Sequence, residues 1–201
     1  NKYIIFWLLN GAIDEKVSIA PRIEMLKELK NLGNEVTLIG SYKKNKIKKN
    51  LRIKYIKAIN IPIISRIHFN INSSIILYKS LKVQYKTNII IVDQHSIYSG
   101  LLIKAIFKAF KKKKINLHFD LRTIPVETTG VKGLVRKIAV WYPAIKLAKY
   151  FADSYSFISS EIEKIVDYKN KETCIWSSGV NIEKFKSDNT NKTKKNNKER
   201  V

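Results

Sequence analysis

The sequence predicts an α/β domain: a Rossmann-like, doubly wound parallel sheet with helices on both faces. From residue 3 to residue 176, short continuous apolar runs alternate with stretches of helical period. That alternation is the pattern of strands buried on both faces and joined by crossover helices. Polar side chains collect where the runs end, and in parallel sheets ligands bind at the carboxyl ends of the strands.

Each element follows from local chemistry. Residues 3–9, YIIFWLL, form an unbroken apolar run that leads into Asn10 and Gly11, as a buried strand entering a loop. A helix is predicted over 19–32, with Pro21 in its first turn, Ile23, Leu26, Leu29 and Leu32 on its apolar face, and Gly33 as its stop. A second strand covers 35–40, a lysine-rich solvated loop 43–50, and a third strand 52–59. A helix over 65–87 presents Ile67, Ile71, Ile75 and Tyr78 as its apolar face, and residues 88–92 are the fourth strand. The helix over 99–112 buries Leu102, Ile103, Ile106, Phe107 and Phe110, and a strand follows over 115–121. After a loop over 122–133, a helix over 134–151 is interrupted near Pro143. Strands over 154–158 and 172–176 flank a last helix over 161–168. Residues 1–185 make one domain, and 186–201, almost devoid of apolar side chains, read as a linker.

Composition narrows the function classes. A chain of 201 residues, 45% hydrophobic, buries roughly 70% of its unfolded surface, enough for one core. Its formal net charge of +23 draws phosphate-rich partners: nucleic acid, anionic membrane or a nucleotide-sugar. Only six of the 39 basic residues are Arg, whereas nucleic-acid surfaces favour the bidentate guanidinium, so lysine-rich composition explains much of the charge. Cys174 is the single cysteine, which rules out a disulfide framework within the chain and fits a reducing, cytoplasmic setting. No apolar run approaches the ~18 residues of a membrane-spanning helix. Neither a Walker motif nor GxGxxG occurs, which disfavours ATP hydrolysis and simple dinucleotide binding. The three histidines lack metal-ligand spacing, so no metal site is expected.

The candidate site residues are the polar groups at strand ends. Asn10 and Gly11 precede a helix whose free amides suit an anion or sugar hydroxyl, although Gly11 equally serves a tight turn. His95 follows the fourth strand, in VDQHS. In HFDLR, residues 118, 120 and 122 share one side of an extended strand, so that Asp120 and Arg122 either orient a substrate or anchor the loop as an ion pair. Asp120 is the expected catalytic residue; Asn10, Gly11, His95, Arg122, Ser178 and Gly179 are expected to bind substrate. The helix over 99–114 joins an apolar face to a lysine cluster, a pattern that lies on anionic lipid or packs on a sheet.

The segment 157–185, FISSEIEKIVDYKNKETCIWSSGVNIEKF, reads as strand, helix, strand and a Ser-Gly-Val turn. With Ser159, Ser160 and Glu161 entering the helix and Gly179, Val180 and Phe185 closing the segment, it resembles the end of the first domain of family 4 glycosyltransferases, a retaining GT-B-type group. The resemblance implies one half of a GT-B enzyme. This domain would hold a glycan or lipid-linked acceptor, and a second, absent domain would bind the nucleotide-sugar and supply the paired glutamates. No cofactor is expected in this chain, and alone it would be catalytically silent. The implied setting is cytoplasmic, peripheral at the inner face of the membrane, with nucleic acid disfavoured as partner. Two rivals share features: a GT-B epimerase of nucleotide-sugars, and a non-enzymatic basic module for nucleic acid or anionic membrane.

Overall fold

The computed structural model describes residues 3–12, 19–42, 51–82, 87–110, 114–122, 130, 134, 137–166, 168 and 171–176. Seven strands, β1 (Ile4–Ala12), β2 (Glu35–Tyr42), β3 (Arg52–Lys57), β4 (Asn88–Val92), β5 (Ile115–Leu121), β6 (Ser154–Phe157) and β7 (Glu172–Ile175), form one sheet. Their order is β3-β2-β1-β4-β5-β6-β7, and every neighbouring pair is parallel. The order reverses between β1 and β4, so the carboxyl ends of β1, β4 and β5 frame the switch point where such sheets take ligands.

Side-chain alternation divides the sheet into two cores. Ile4, Phe6 and Leu8 of β1 join Leu117, Phe119, Tyr155 and Phe157 on one face. Ile5, Trp7 and Leu9 join Val36, Leu38 and Ile91 on the other. Helix α1 (Ile19–Asn31) covers the second face through Ile19, Ile23 and Leu26. The first face is covered by α2 (Pro62–Lys82), α3 (Ile97–Ala109), α4 (Tyr142–Phe151) and α5 (Ser160–Val166).

The helix ends follow the expected chemistry. Gly33 takes φ 83°; its amide bonds the Lys30 carbonyl and the Asn34 amide bonds that of Leu29, a Schellman stop. A π-helical turn, Lys137–Trp141, runs directly into α4, so Pro143, the second residue of α4, lies within a continuous helical run and its missing N–H coincides with the irregular turn before it. β1 extends three residues past Leu9, so that Asn10, Gly11 and Ala12 belong to the strand, with a register irregularity before Ala12 pairs with Ser41.

Two apolar faces differ from the sequence reading. In α2 the buried residues are Phe69, Ser73, Ser74, Leu77 and Leu81, while Ile67, Ile71, Ile75 and Tyr78 are exposed. Hydrogen bonds decide the orientation: Asn70 Oδ1 accepts from the amide and hydroxyl of Ser99, and the Ser73 and Ser99 hydroxyls meet at 2.8 Å. These small polar side chains let α2 close on α3 where branched isoleucines would hold it away. In α3, Ile103 and Phe107 are buried, but Leu102, and Phe110 just past the helix end, face outward.

Gly100 is required by the same close packing. A Cβ there would stand 2.5 Å from Leu117 Cδ1 and 3.0 Å from Val92 Cγ1, and both residues are fully buried. Overpacking costs about 1–3 kcal/mol, more than the ~1 kcal/mol alanine gains over glycine within a helix. Gly100→Ala is therefore expected to lower the urea midpoint at unchanged slope; a midpoint at or above wild type would show that α3 shifts freely.

Candidate functional site

The carboxyl rim of the central strands gathers Asn10 and Gly11 from β1, Asp93 and His95 after β4, and Asp120 and Arg122 at the end of β5. Ser178 and Gly179 lie outside the described residues.

Asp120 is buried at 1% exposure, and both its oxygens are engaged. Oδ2 accepts from Arg122 Nε at 2.8 Å, and Oδ1 accepts from Ser156 Oγ at 2.8 Å. Ser156 in turn lies 2.8 Å from His118 Nε2, and His118 Nδ1 lies 2.9 Å from Ser154 Oγ. The directions follow from donor capacity. A carboxylate only accepts, so the single hydroxyl proton of Ser156 points to Asp120 and His118 Nε2 must donate to Ser156. A neutral imidazole that donates from Nε2 accepts from the Ser154 hydroxyl at Nδ1. Burial, opposed by the nearby Asp120 charge, pushes the His118 pKa down to about 4, which agrees with that tautomer. In this relay the carboxylate holds the serine, not the histidine, and Ser156 is fully buried. It therefore lacks the order of a nucleophilic triad.

Arg122 emerges from the relay into an aromatic frame. Its Cζ lies 5.7 Å from the Trp7 ring and 6.0 Å from that of Trp176, within cation–π range, and the two rings stack at 6.0 Å and 11°. Nη2 also reaches Met25 Sδ of α1 at 2.9 Å. Arg22, one turn before Met25, carries a second guanidinium into the electrostatic reach of Asp93, Asp120 and Arg122. Burial lowers its pKa, the two carboxylates oppose the shift, and Arg122 adds to it.

Three donors in this region are buried and, among the described residues, meet no acceptor: Trp7 Nε1, Trp176 Nε1 and Arg22 Nε. Buried donors are ordinarily paired, so an uncompensated group of them fits an oxygen-rich ligand.

His95 belongs to the other face. Its Nδ1 lies 3.0 Å from Arg66 Nη2 of α2; a guanidinium only donates, so Nδ1 accepts. Asn70 of α2 also bonds the His95 carbonyl. Asp93 Oδ1 caps the turn into α3 through the amides of His95 and Ser96 and the Ser96 hydroxyl. Asp120 and Arg122 thus converge with Arg22, Trp7 and Trp176, whereas His95 shares the rim but engages α2.

Sequence reasoning did not select Trp7, Arg22 or Trp176. Trp7 and Arg22 looked like parts of an apolar strand and a helix start, and nothing local signals that Trp176 returns to Trp7. The alternation in SYSF, which places Ser154 and Ser156 beside His118 and Asp120, was the available signal for the relay.

Among solved structures, the chain is similar to a sucrose-phosphate synthase from Thermosynechococcus elongatus, with a TM-score of 0.52 and 12% identity over 90% of this chain and 92% of that one. The two share a Rossmann-like α/β fold. No protein-family model matches the sequence, and no curated protein matches it either. At this identity the likeness establishes a GT-B-like, Rossmann-like domain.

Proposed function

We propose that this chain is the acceptor-side half of a retaining glycosyltransferase of the family 4 type, working with a separate domain that binds the nucleotide-sugar. The observation that carries the reading is the cluster of buried donors around Arg122, unpaired among the described residues, on the carboxyl rim of a GT-B-like sheet. Sugar hydroxyls and anionic substituents supply the acceptor oxygens such a cluster lacks.

Each residue then has a physical task. Arg122 and Arg22 offer charge-assisted hydrogen bonds, and the Trp7 and Trp176 rings fix the Arg122 guanidinium. Asp120, engaged on both oxygens, acts through Arg122 as a positioning residue rather than on the sugar itself. Asn10 and Gly11 border the same rim, Ser178 and Gly179 follow β7 in sequence, and His95 approaches from the α2 side. Holding an acceptor hydroxyl in line with the donor removes much of the entropic barrier to transfer. No metal or cofactor of this chain enters the scheme.

Trp7 and Trp176 report on the site directly. Titration of the chain with a panel of neutral and phosphorylated sugars, read by tryptophan fluorescence, is expected to show saturable change with a subset of them. Loss of one charge-assisted bond predicts that Arg122→Ala weakens this binding about 10- to 100-fold. If no sugar produces a saturable response while duplex DNA binds with steep salt dependence, the basic-module reading replaces this one. Isomerisation of a nucleotide-sugar by the complete protein without acceptor would favour the epimerase.

A further inference from the structure

The amino end of the sheet, opposite the candidate site, carries a second concavity. A cleft of about 840 Å³ opens there between α3, the end of α4 and the residues that enter β5, β6 and β7. That volume lies in the range of small-molecule sites. α3 lines it with Leu101, Lys104 and Lys108, spaced to share one face of the helix. α4 contributes Tyr150 and Phe151, 67% and 52% exposed.

The carboxyl end of a helix is negative, so lysines at this end of the fold have a structural use. Lys104 and Lys171 meet it. Lys104 Nζ bonds the Phe151 carbonyl at 2.8 Å and the two oxygens of Asp153 at 2.7 and 2.6 Å. Lys171 Nζ bonds the carbonyls of Lys149 and Ala152 and the Tyr155 hydroxyl. Asp153 also accepts from the Leu117 amide, so both its oxygens are engaged. At the end of α3, the Phe110 amide bonds the carbonyls of Ile106 and Lys108. Two cations are left over. Lys108 and Lys114 line the same cleft and are exposed, and among the described residues neither makes a hydrogen bond or ion pair. The Asn116 carboxamide, at the start of β5, is likewise uncommitted among the described residues.

We propose that this cleft binds a nucleoside phosphate, with the phosphate at Lys108 and Lys114 and the base against the Tyr150 and Phe151 rings. Charge alone would suit any anion. The exposed aromatic pair selects an anion that carries a flat ring, because every base offers a π-face for stacking, and Asn116 offers the base edge both donors and an acceptor. The charge also fits a single phosphate. Lys104, Lys108, Lys114 and Lys171 stand against Asp153 and Glu172, an excess of two positive charges, and a phosphate monoester carries about −1.5 to −2 at neutral pH. The cleft is distinct from the carboxyl rim and its binding is measured without sugar, so it stands apart from the transfer reading.

The test is isothermal titration calorimetry of the chain with AMP, UMP, adenosine and ribose 5-phosphate. The nucleotides are expected to bind at one site, and adenosine and ribose 5-phosphate, which lack the phosphate or the base, at least about tenfold more weakly. Lys108→Gln with Lys114→Gln should weaken nucleotide binding about tenfold or more, and Tyr150→Ala about fivefold or more through lost stacking. Lys27→Gln with Lys57→Gln, the same loss of charge on α1 and β3, should change it less than about twofold, since distant surface charges are screened. Circular dichroism confirms that the variants are folded. No binding of either nucleotide, ribose 5-phosphate bound as tightly as the nucleotides, or equal loss in the two lysine pairs would overturn the proposal. Nucleotide binding that survives substitution of Lys108 and Lys114 would overturn it as well, and would move the phosphate to Arg22 and Arg122 on the rim.

Discussion

Asp120→Ala is expected to lower the unfolding free energy by about 3–5 kcal/mol, the cost of leaving a buried partner charge uncompensated. The pair is deeply enclosed, with the Arg122 and Asp120 side chains 8% and 1% exposed. Removing the carboxylate also strips Ser156 of its acceptor and Arg22 of one of two opposing charges. Asp120, the catalytic residue expected from the sequence, is buried between Arg122 and Ser156. Asp120→Leu combined with Arg122→Met should recover most of the loss, because a buried pair exchanged for apolar side chains of similar volume costs little. Urea unfolding of the single and double variants decides it. A single variant as stable as wild type would mean that the guanidinium reaches water or another carboxylate.

The second large effect is acid lability centred on His118. Burial holds its folded pKa near about 4, against an ordinary 6.5. Between those values the unfolded chain binds a proton that the folded chain refuses, so stability falls as pH drops through this window. It is fully retained above pH about 6.5 and reaches its maximum loss below pH about 4. The gap corresponds to about 3 kcal/mol. His118→Gln keeps one donor and one acceptor for Ser156 and Ser154 but does not titrate there. Urea unfolding at several pH values should show a markedly shallower slope for His118→Gln than for wild type. Identical slopes would show that the imidazole is not what resists the proton.

How much was legible in the sequence depended on the range of the forces involved. The alternation of strands and helices, the parallel pairing and the stop at Gly33 come from continuous burial and a local backbone need, and both are written in short windows. The face of α2 was not, because isoleucines at helical spacing ordinarily mark the core. Here Asn70 and Ser73 determine the packing through bonds to Ser99, a partner on another helix. The clustering of residues 118, 120 and 122 follows from strand alternation. Their burial, and the service of Asp120 to Arg122, depend on β6 and on Trp7 and Trp176, which no local pattern connects.

The stacking of Trp7 on Trp176 joins the first strand to the residue just past the last. During synthesis, a nascent chain can pair its early strands while the aromatic frame still lacks its second ring. The guanidinium it steadies is thus fixed late, after the slow long-range closure typical of parallel sheets, and a ribosome-stalled fragment ending before β7 would carry a sheet without a finished rim.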